Sequence, residues 1–227
     1  MSGLLPDSLR GRWYNSPAFD PDDPWAGFAP HRTAVVLVDL INWQAHPDGF
    51  SSRTASGDYK TTRCADVVVP ALSRVLPAAR TAGAAIVHSR LASRAADYAD
   101  IVPALREYVR AAGALEGRWA AEPLDGLHEP GDLLVTKSGS GAFGSSDLDQ
   151  VLRNLGVRTV LYAGVVTDRC VLLTAAGGFD LGYEQYLLTD CTAATTAADQ
   201  ASAERLVSGY LARPATAAEA AGAFETS

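Results

Sequence analysis

Thr159-Val160-Leu161-Tyr162-Ala163-Gly164-Val165 is an unbroken apolar run, and Val166-Thr167-Asp168-Arg169-Cys170-Val171 carries it through a polar join into a helix. Such a run reads as a strand buried on both faces of a parallel sheet. The cysteine falls about one turn past the join. That placement aims a thiol at the carboxyl edge of the sheet, where open α/β proteins bind small molecules. Two further runs also end in chemistry. Thr33-Ala34-Val35-Val36-Leu37-Val38 closes on Asp39, and Asp132-Leu133-Leu134-Val135-Thr136 closes on Lys137 before the loop Ser138-Gly139-Ser140-Gly141. A carboxylate at the end of so apolar a strand must be paired, hydrogen-bonded or protonated. Lys60 and Lys137 are the only lysines in a chain whose other cations are arginine, so a lysine at a strand end suggests a need for a compact, rotatable ammonium.

Around these runs the pattern alternates between strand and helix. Helices are predicted over 69–82, around 101–112, and over 148–155, 168–181 and 198–211. The first takes Pro70 in its opening turn, is kinked by Pro77 and is ended by Gly83. Strands are predicted over 84–88 and 184–189, with a short one from Pro214 before a frayed end. Gly177 and Gly178 allow their helix to pack closely on the sheet. This order predicts an α/β fold of three layers, a doubly wound and mainly parallel sheet with helices on both faces. Residues 1–31 read as an extended arm whose Trp13, Tyr14 and Trp25 are too apolar for a free tail, so the arm is expected to pack on the domain or on a neighbouring subunit. Residues 32–215 form one domain and 216–227 a tail.

Composition narrows the function. A chain of 227 residues with 48% hydrophobic content can bury one large core, and a net charge of -7 argues against a nucleic-acid-binding surface. Cys64, Cys170 and Cys191 have no disulfide-like spacing, which suits a reducing cytoplasm. No apolar run approaches the ~18 residues of a membrane span, and no signal peptide is expected at the start. His31, His46 and His128 are scattered, and the lone His88 on its strand is expected to be structural, so neither a metal nor a cofactor is predicted.

Cys170 on its own reads equally well as a small buried hydrophobe. With Thr167 as N-cap, its hydroxyl would take the Cys170 amide, and the helix end would contribute up to about 2 kcal/mol to a thiolate. Moving a thiol from about 8.5 to about 6.5 needs close to 3 kcal/mol, so a further charge is required. Asp39, Lys137 and Cys170 together are the parts of a base, cation and nucleophile site.

The segments Val35-Val36-Leu37-Val38-Asp39-Leu40-Ile41-Asn42, Val135-Thr136-Lys137-Ser138-Gly139-Ser140-Gly141-Ala142-Phe143 and Gly164-Val165-Val166-Thr167-Asp168-Arg169-Cys170-Val171 resemble the three signature motifs of the isochorismatase-like cysteine hydrolases. Within that family the likeness is nearest to amidohydrolases such as N-carbamoylsarcosine amidase and ureidoacrylate amidohydrolase. The resemblance implies that Cys170 is the nucleophile, Asp39 the general base and Lys137 the cation. It also implies a cis peptide between Val165 and Val166, and an oxyanion hole made by the amides of Val166 and Cys170.

The function so implied is cysteine-dependent hydrolysis of a small amide or carbamoyl substrate through a thioester, by a homo-oligomer (dimer or tetramer) with no nucleic-acid or membrane partner. Burial is expected to raise the Asp39 carboxyl, while Lys137 and the helix lower the thiol. A vinyl ether hydrolase, a non-catalytic pathway scaffold and a thiol redox protein are the alternatives. Ile41 stands where the family usually has glutamine. Asn42, Trp43, Trp119 and Phe143 are candidate pocket walls, and Arg90, Arg94 or Arg118 could hold a substrate carboxylate.

Overall fold

A computed structural model describes residues 24–54 and 57–226. Six strands, β1 (Thr33–Val38), β2 (Ala85–Leu91), β3 (Leu133–Lys137), β4 (Thr159–Val165), β5 (Glu184–Ala193) and β6 (Arg213–Ala215), pair in parallel in the order β3-β2-β1-β4-β5-β6. The fold is the doubly wound α/β sheet read from the sequence. Strand order reverses between β1 and β4, and the crevice beyond the carboxyl ends of those two strands is where this architecture places ligands. Every residue of β1 and β4 is buried, which accounts for their lack of polar alternation.

The chain leaves β1 through the short helix α1 (Asn42–Ala45) and then runs through α2 (Gly57–Arg63), a π turn at Cys64–Val68 and α3 (Val69–Thr81). The helical stretch therefore starts a dozen residues before the predicted position 69. Val69 N–H donates to the Cys64 carbonyl, five residues back. Pro70 has no N–H to give and its ring would crowd the carbonyl four residues before it, so the wider turn accommodates it. Next come α4 (Pro103–Ala111), α5 (Ala142–Ser145), α6 (Leu148–Asn154), α7 (Leu172–Asp180), α8 (Ala197–Leu206) and α9 (Ala217–Glu225). Helices α3 and α9 cover one face of the sheet against Val35, Leu37, Ile86, Leu161 and Leu188. On the other face α6 and α7 cover Val36, Val38, Val87, Val160 and Tyr162. Each such side chain, fully buried, stabilises the fold by about 1.5–3 kcal/mol.

The C-terminal segment corrects the expected frayed tail. Thr216 and Glu219 form a reciprocal capping box, and α9 buries Ala217, Ala220, Ala223 and Phe224. Trp25 stacks on Tyr186 with ring centroids 4.4 Å apart, and Phe28 meets Phe224 edge-on at 5.1 Å. Trp25 thus packs on the domain, whereas Trp13 and Tyr14 lie outside the described residues.

Glycine sets the spacing at two points. A Cβ on Gly164, whose φ is +121°, would stand 2.0 Å from the Val38 carbonyl oxygen, so only glycine lets β4 approach β1 this closely at the switch point. A Cβ on Gly178 would stand 2.4 Å from both the Tyr162 hydroxyl and Gln185 Oε1, which explains why α7 can lie so near the sheet.

His88 on β2 is structural. Its Nε2 lies 3.3 Å from Asp132 Oδ2, which also accepts from Arg80 on α3 at 2.7 Å and from the Glu129 amide at 2.9 Å. Among the described residues no group of three or more histidines, cysteines or carboxylates could hold a metal, and no helix is long and apolar enough to cross a membrane. Burial lowers His88 to about 4, with the bond to Asp132 opposing part of that shift. In the unfolded chain it titrates near 6.5, so between these values the unfolded state binds the extra proton and stability falls as pH falls. Unfolding free energy should drop by about 2 kcal/mol from pH ~7 to pH ~5. Urea titrations at the two pH values should show His88→Gln removing most of that loss; an equal loss in the variant would contradict the assignment.

Candidate active site

Three elements bring the reactive groups together at the carboxyl edge of the sheet. Asp39 ends β1 in a left-handed conformation, φ +53°, which aspartate tolerates better than most residues. Its amide donates to the Ser89 carbonyl at 2.7 Å and its Oδ1 accepts from the Leu91 amide at 2.6 Å, so the residue also terminates β2. Lys137, the last residue of β3, reaches across β2 with its ammonium 2.9 Å from Asp39 Oδ2; both side chains are 0% exposed. Cys170 lies in a π turn, Thr167–Val171, that begins directly after β4 and leads into α7. The peptide between Val165 and Val166 is cis.

Lys137 has three acceptors for its three protons: Asp39 Oδ2, the Gly139 carbonyl at 2.9 Å and Cys170 Sγ at 3.6 Å. Beyond its ion pair with Lys137, Asp39 Oδ2 accepts no hydrogen bond. A carboxylate oxygen with an open lone pair beside a thiol is the arrangement a general base needs. Burial alone would disfavour the Lys137 ammonium, but the Asp39 carboxylate and the Cys170 sulfur outweigh it and hold the group above its usual value.

The thiol differs from expectation. Burial pushes Cys170 up to about 12, and the attraction of Lys137 does not offset it. The predicted N-cap bond is absent as well. The Thr167 hydroxyl instead donates to Gln200 Oε1 of α8 at 2.9 Å. Gln200 also accepts from the Ala194 amide at 2.6 Å and donates to Thr192 Oγ1 at 3.1 Å, which ties the cysteine turn to the end of β5. Thr174 Oγ1 donates to the Cys170 carbonyl at 2.6 Å and accepts from the Ala142 amide at 3.1 Å, linking that turn to the loop after Lys137.

A cavity of about 90 Å³ opens on the sulfur, lined by Trp43, Leu91, Leu105, Tyr108 and Val166 on its apolar side and by Gln44, Thr54, Lys60, Ser140, Arg169 and Thr195 on its polar side. Of the predicted pocket walls only Trp43 lines it, held by an indole N–H bond to the Leu91 carbonyl at 3.1 Å. Asn42 is buried elsewhere, donating to the Trp119 carbonyl at 2.8 Å. Trp119 is 55% exposed and packs on His46, while Phe143 stacks on Tyr183. Arg90 is taken by Glu116, Glu122 and Thr136, and Arg94 by the Thr136 carbonyl. Arg118 is not among the cavity residues. Sequence reasoning missed Lys60, Gln44 and Arg169, although the scarcity of lysine marked Lys60 as clearly as Lys137. Gln44 brings a glutamine to the cavity from α1, five residues past Asp39 rather than two.

A family model described as the isochorismatase domain matches residues 33–219. The chain is similar to a solved cysteine hydrolase from Pseudomonas syringae pv. phaseolicola 1448A, with 25% identity, coverage of 88% of this chain and 95% of that one, and a TM-score of 0.76. N-carbamoylsarcosine amidase from Thermoplasma acidophilum is 26% identical over 82% of this chain and 96% of its own, with a TM-score of 0.64. The pyrazinamidase/nicotinamidase from Streptococcus mutans UA159 shares the fold at 21% identity, over 79% of this chain and 99% of its own, with a TM-score of 0.66.

The buried pair makes a thermodynamic prediction. Lys137→Met leaves the Asp39 carboxylate unpaired and should destabilise the protein by about 3–5 kcal/mol. Asp39→Asn keeps an acceptor for Leu91, and the double variant should lose at least about 2 kcal/mol less than the sum of the singles in urea unfolding. Additive losses would show that the two groups do not interact.

Proposed function

This chain belongs to the isochorismatase family, and we propose that it hydrolyses the carbon-nitrogen bond of a small amide or carbamoyl compound through a thioester on Cys170. The observation that carries the reading is the position of Lys137, bonded at once to Cys170 Sγ and paired with Asp39 beside the cavity. A vinyl ether hydrolysis would leave the sulfur without a task.

The thiol determines how the reaction must run. Burial disfavours a free thiolate near neutral pH. Such a thiolate is not stored; it forms as the carbonyl is attacked. The thiol proton passes to Asp39 Oδ2 while sulfur bonds to the carbonyl carbon, and the negative charge moves to the carbonyl oxygen. The amides of Val166 and Cys170 are the donors assigned to that oxygen. Lys137 stays charged throughout, holding Asp39 in place and stabilising the sulfur as its negative charge builds. Asp39 then returns the proton to the departing nitrogen as the carbon-nitrogen bond breaks. Water, deprotonated by the same carboxylate, adds to the thioester, releases the acid and restores the thiol. The cavity is small beside ordinary ligand pockets of roughly 300–1,000 Å³, which suits a substrate of few heavy atoms.

Ammonia release from a panel of small amides, ureas and carbamoyl amino acids tests the reading. Cys170→Ala, Asp39→Asn and Lys137→Ala should each lower turnover of the best substrate by at least about 10³-fold. Full turnover in Cys170→Ala, or cleavage of a vinyl ether with no amide activity, would overturn it.

A further inference from the structure

Lys60 on α2 is the second lysine of the chain, and its side chain enters the same cavity as the sulfur although the residue is only 5% exposed. Its Nζ donates one hydrogen bond, to Gln44 Oε1 at 3.0 Å, and among the described residues it forms no ion pair with a carboxylate. Gln44 Oε1 also accepts from Ser51 Oγ at 3.3 Å, so the amide that greets the ammonium is itself held in place. A buried ammonium with two unused protons and no counter-ion is costly. A methionine or leucine would fill the same space without that cost. Arg169, next to the nucleophile in sequence, lines the same cavity with a side chain 60% exposed and its Nε 3.4 Å from Asp168 Oδ2. The cavity therefore has an inner cation and an outer one, and among the described residues no carboxylate lines it.

We propose that Lys60 holds a carboxylate of the substrate, with Arg169 completing the positive rim, so that the preferred substrates are short amides or carbamoyl compounds bearing an acid group. This rests on the amide-hydrolase reading for the reaction, and adds the charge of the substrate and the residue that selects it. Burial lowers Lys60 to about 8, opposed in part by the sulfur of Cys64 and the carboxylate of Asp39, so most of it is still charged near neutral pH and able to pair. The cavity, about 90 Å³, is small, which favours a short spacer between the acid group and the attacked carbonyl. A bound carboxylate would also relieve the unpaired charge, so part of the binding free energy comes from a cost already built into the folded protein.

Calorimetric titration of malonamate and of malonamide into Cys170→Ala protein, with Lys60 intact and as Lys60→Met or Lys60→Gln, separates the possibilities without needing turnover. Malonamate should bind at least about 10-fold more tightly than malonamide when Lys60 is present, and the two should bind alike in both variants. The melting temperature of Lys60→Met should equal or exceed that of its parent, because the variant removes a buried unpaired charge. Binding that is undetectable or indistinguishable with Lys60 present, or an acid preference that survives in Lys60→Met, would overturn the proposal. The two readings fail separately. Acid preference in a wild-type protein that releases ammonia from no amide sinks only the hydrolase reading, whereas ammonia release with no acid preference sinks only the role of Lys60.

Discussion

The ion pair between Lys137 and Asp39 is the constraint around which the carboxyl edge of the sheet is arranged. Neither group touches water, so each must find its partners inside the protein. Asp39 does so by ending β1 and β2 together, and Lys137 by reaching the Gly139 carbonyl and the Cys170 sulfur as well as the carboxylate. The third participant arrives because Gly164 lets β4 lie against β1, and because Thr167, Gln200 and Thr174 pin the turn that carries the cysteine. A site assembled from three strand ends has little freedom to drift, and little drift is what positioning a nucleophile demands.

Burial decides the resting chemistry. It would be enough by itself to neutralise a lone lysine, but the adjoining carboxylate and sulfur keep Lys137 charged. The same burial overwhelms the pull of that lysine on Cys170 and keeps the sulfur protonated. An anionic sulfur next to an anionic carboxylate is thereby avoided until a carbonyl is present to take up the charge. Lys60 is a different case, since burial lowers it and, among the described residues, it forms no ion pair with a carboxylate. The difference between the two lysines is one of partners rather than of depth.

Much of this was legible before any coordinates. The apolar runs of β1 and β4 read as parallel strands buried on both sides, and with the run that ends at Lys137 taken as a third strand, the residues at their carboxyl ends share one edge, which places Asp39, Lys137 and Cys170 near each other. What the sequence hid has physical causes. Residue type does not say which side of a loop faces a cavity, so Trp119 and Phe143 looked as suitable as Trp43. Helix α2 carries no clear apolar period before its π turn, and without it Lys60 had no place in the fold. The C-terminal helix was masked by a run of alanines, although Thr216 and Glu219 spelled out its cap. Thr167 had the right position for an N-cap, but a tertiary partner, Gln200, took its hydroxyl.

The proposed reaction requires a sulfur that rests as a thiol, beside a carboxylate that takes its proton only when the carbonyl is attacked. The ultraviolet absorbance of a thiolate, recorded as wild type minus Cys170→Ala across pH, measures that state directly. The difference spectrum should show no thiolate between pH ~6 and pH ~9. A thiolate band that titrates in with a midpoint at or below pH ~7 would mean that Lys137 stores the charged nucleophile in the resting protein, and the mechanism drawn here would be wrong.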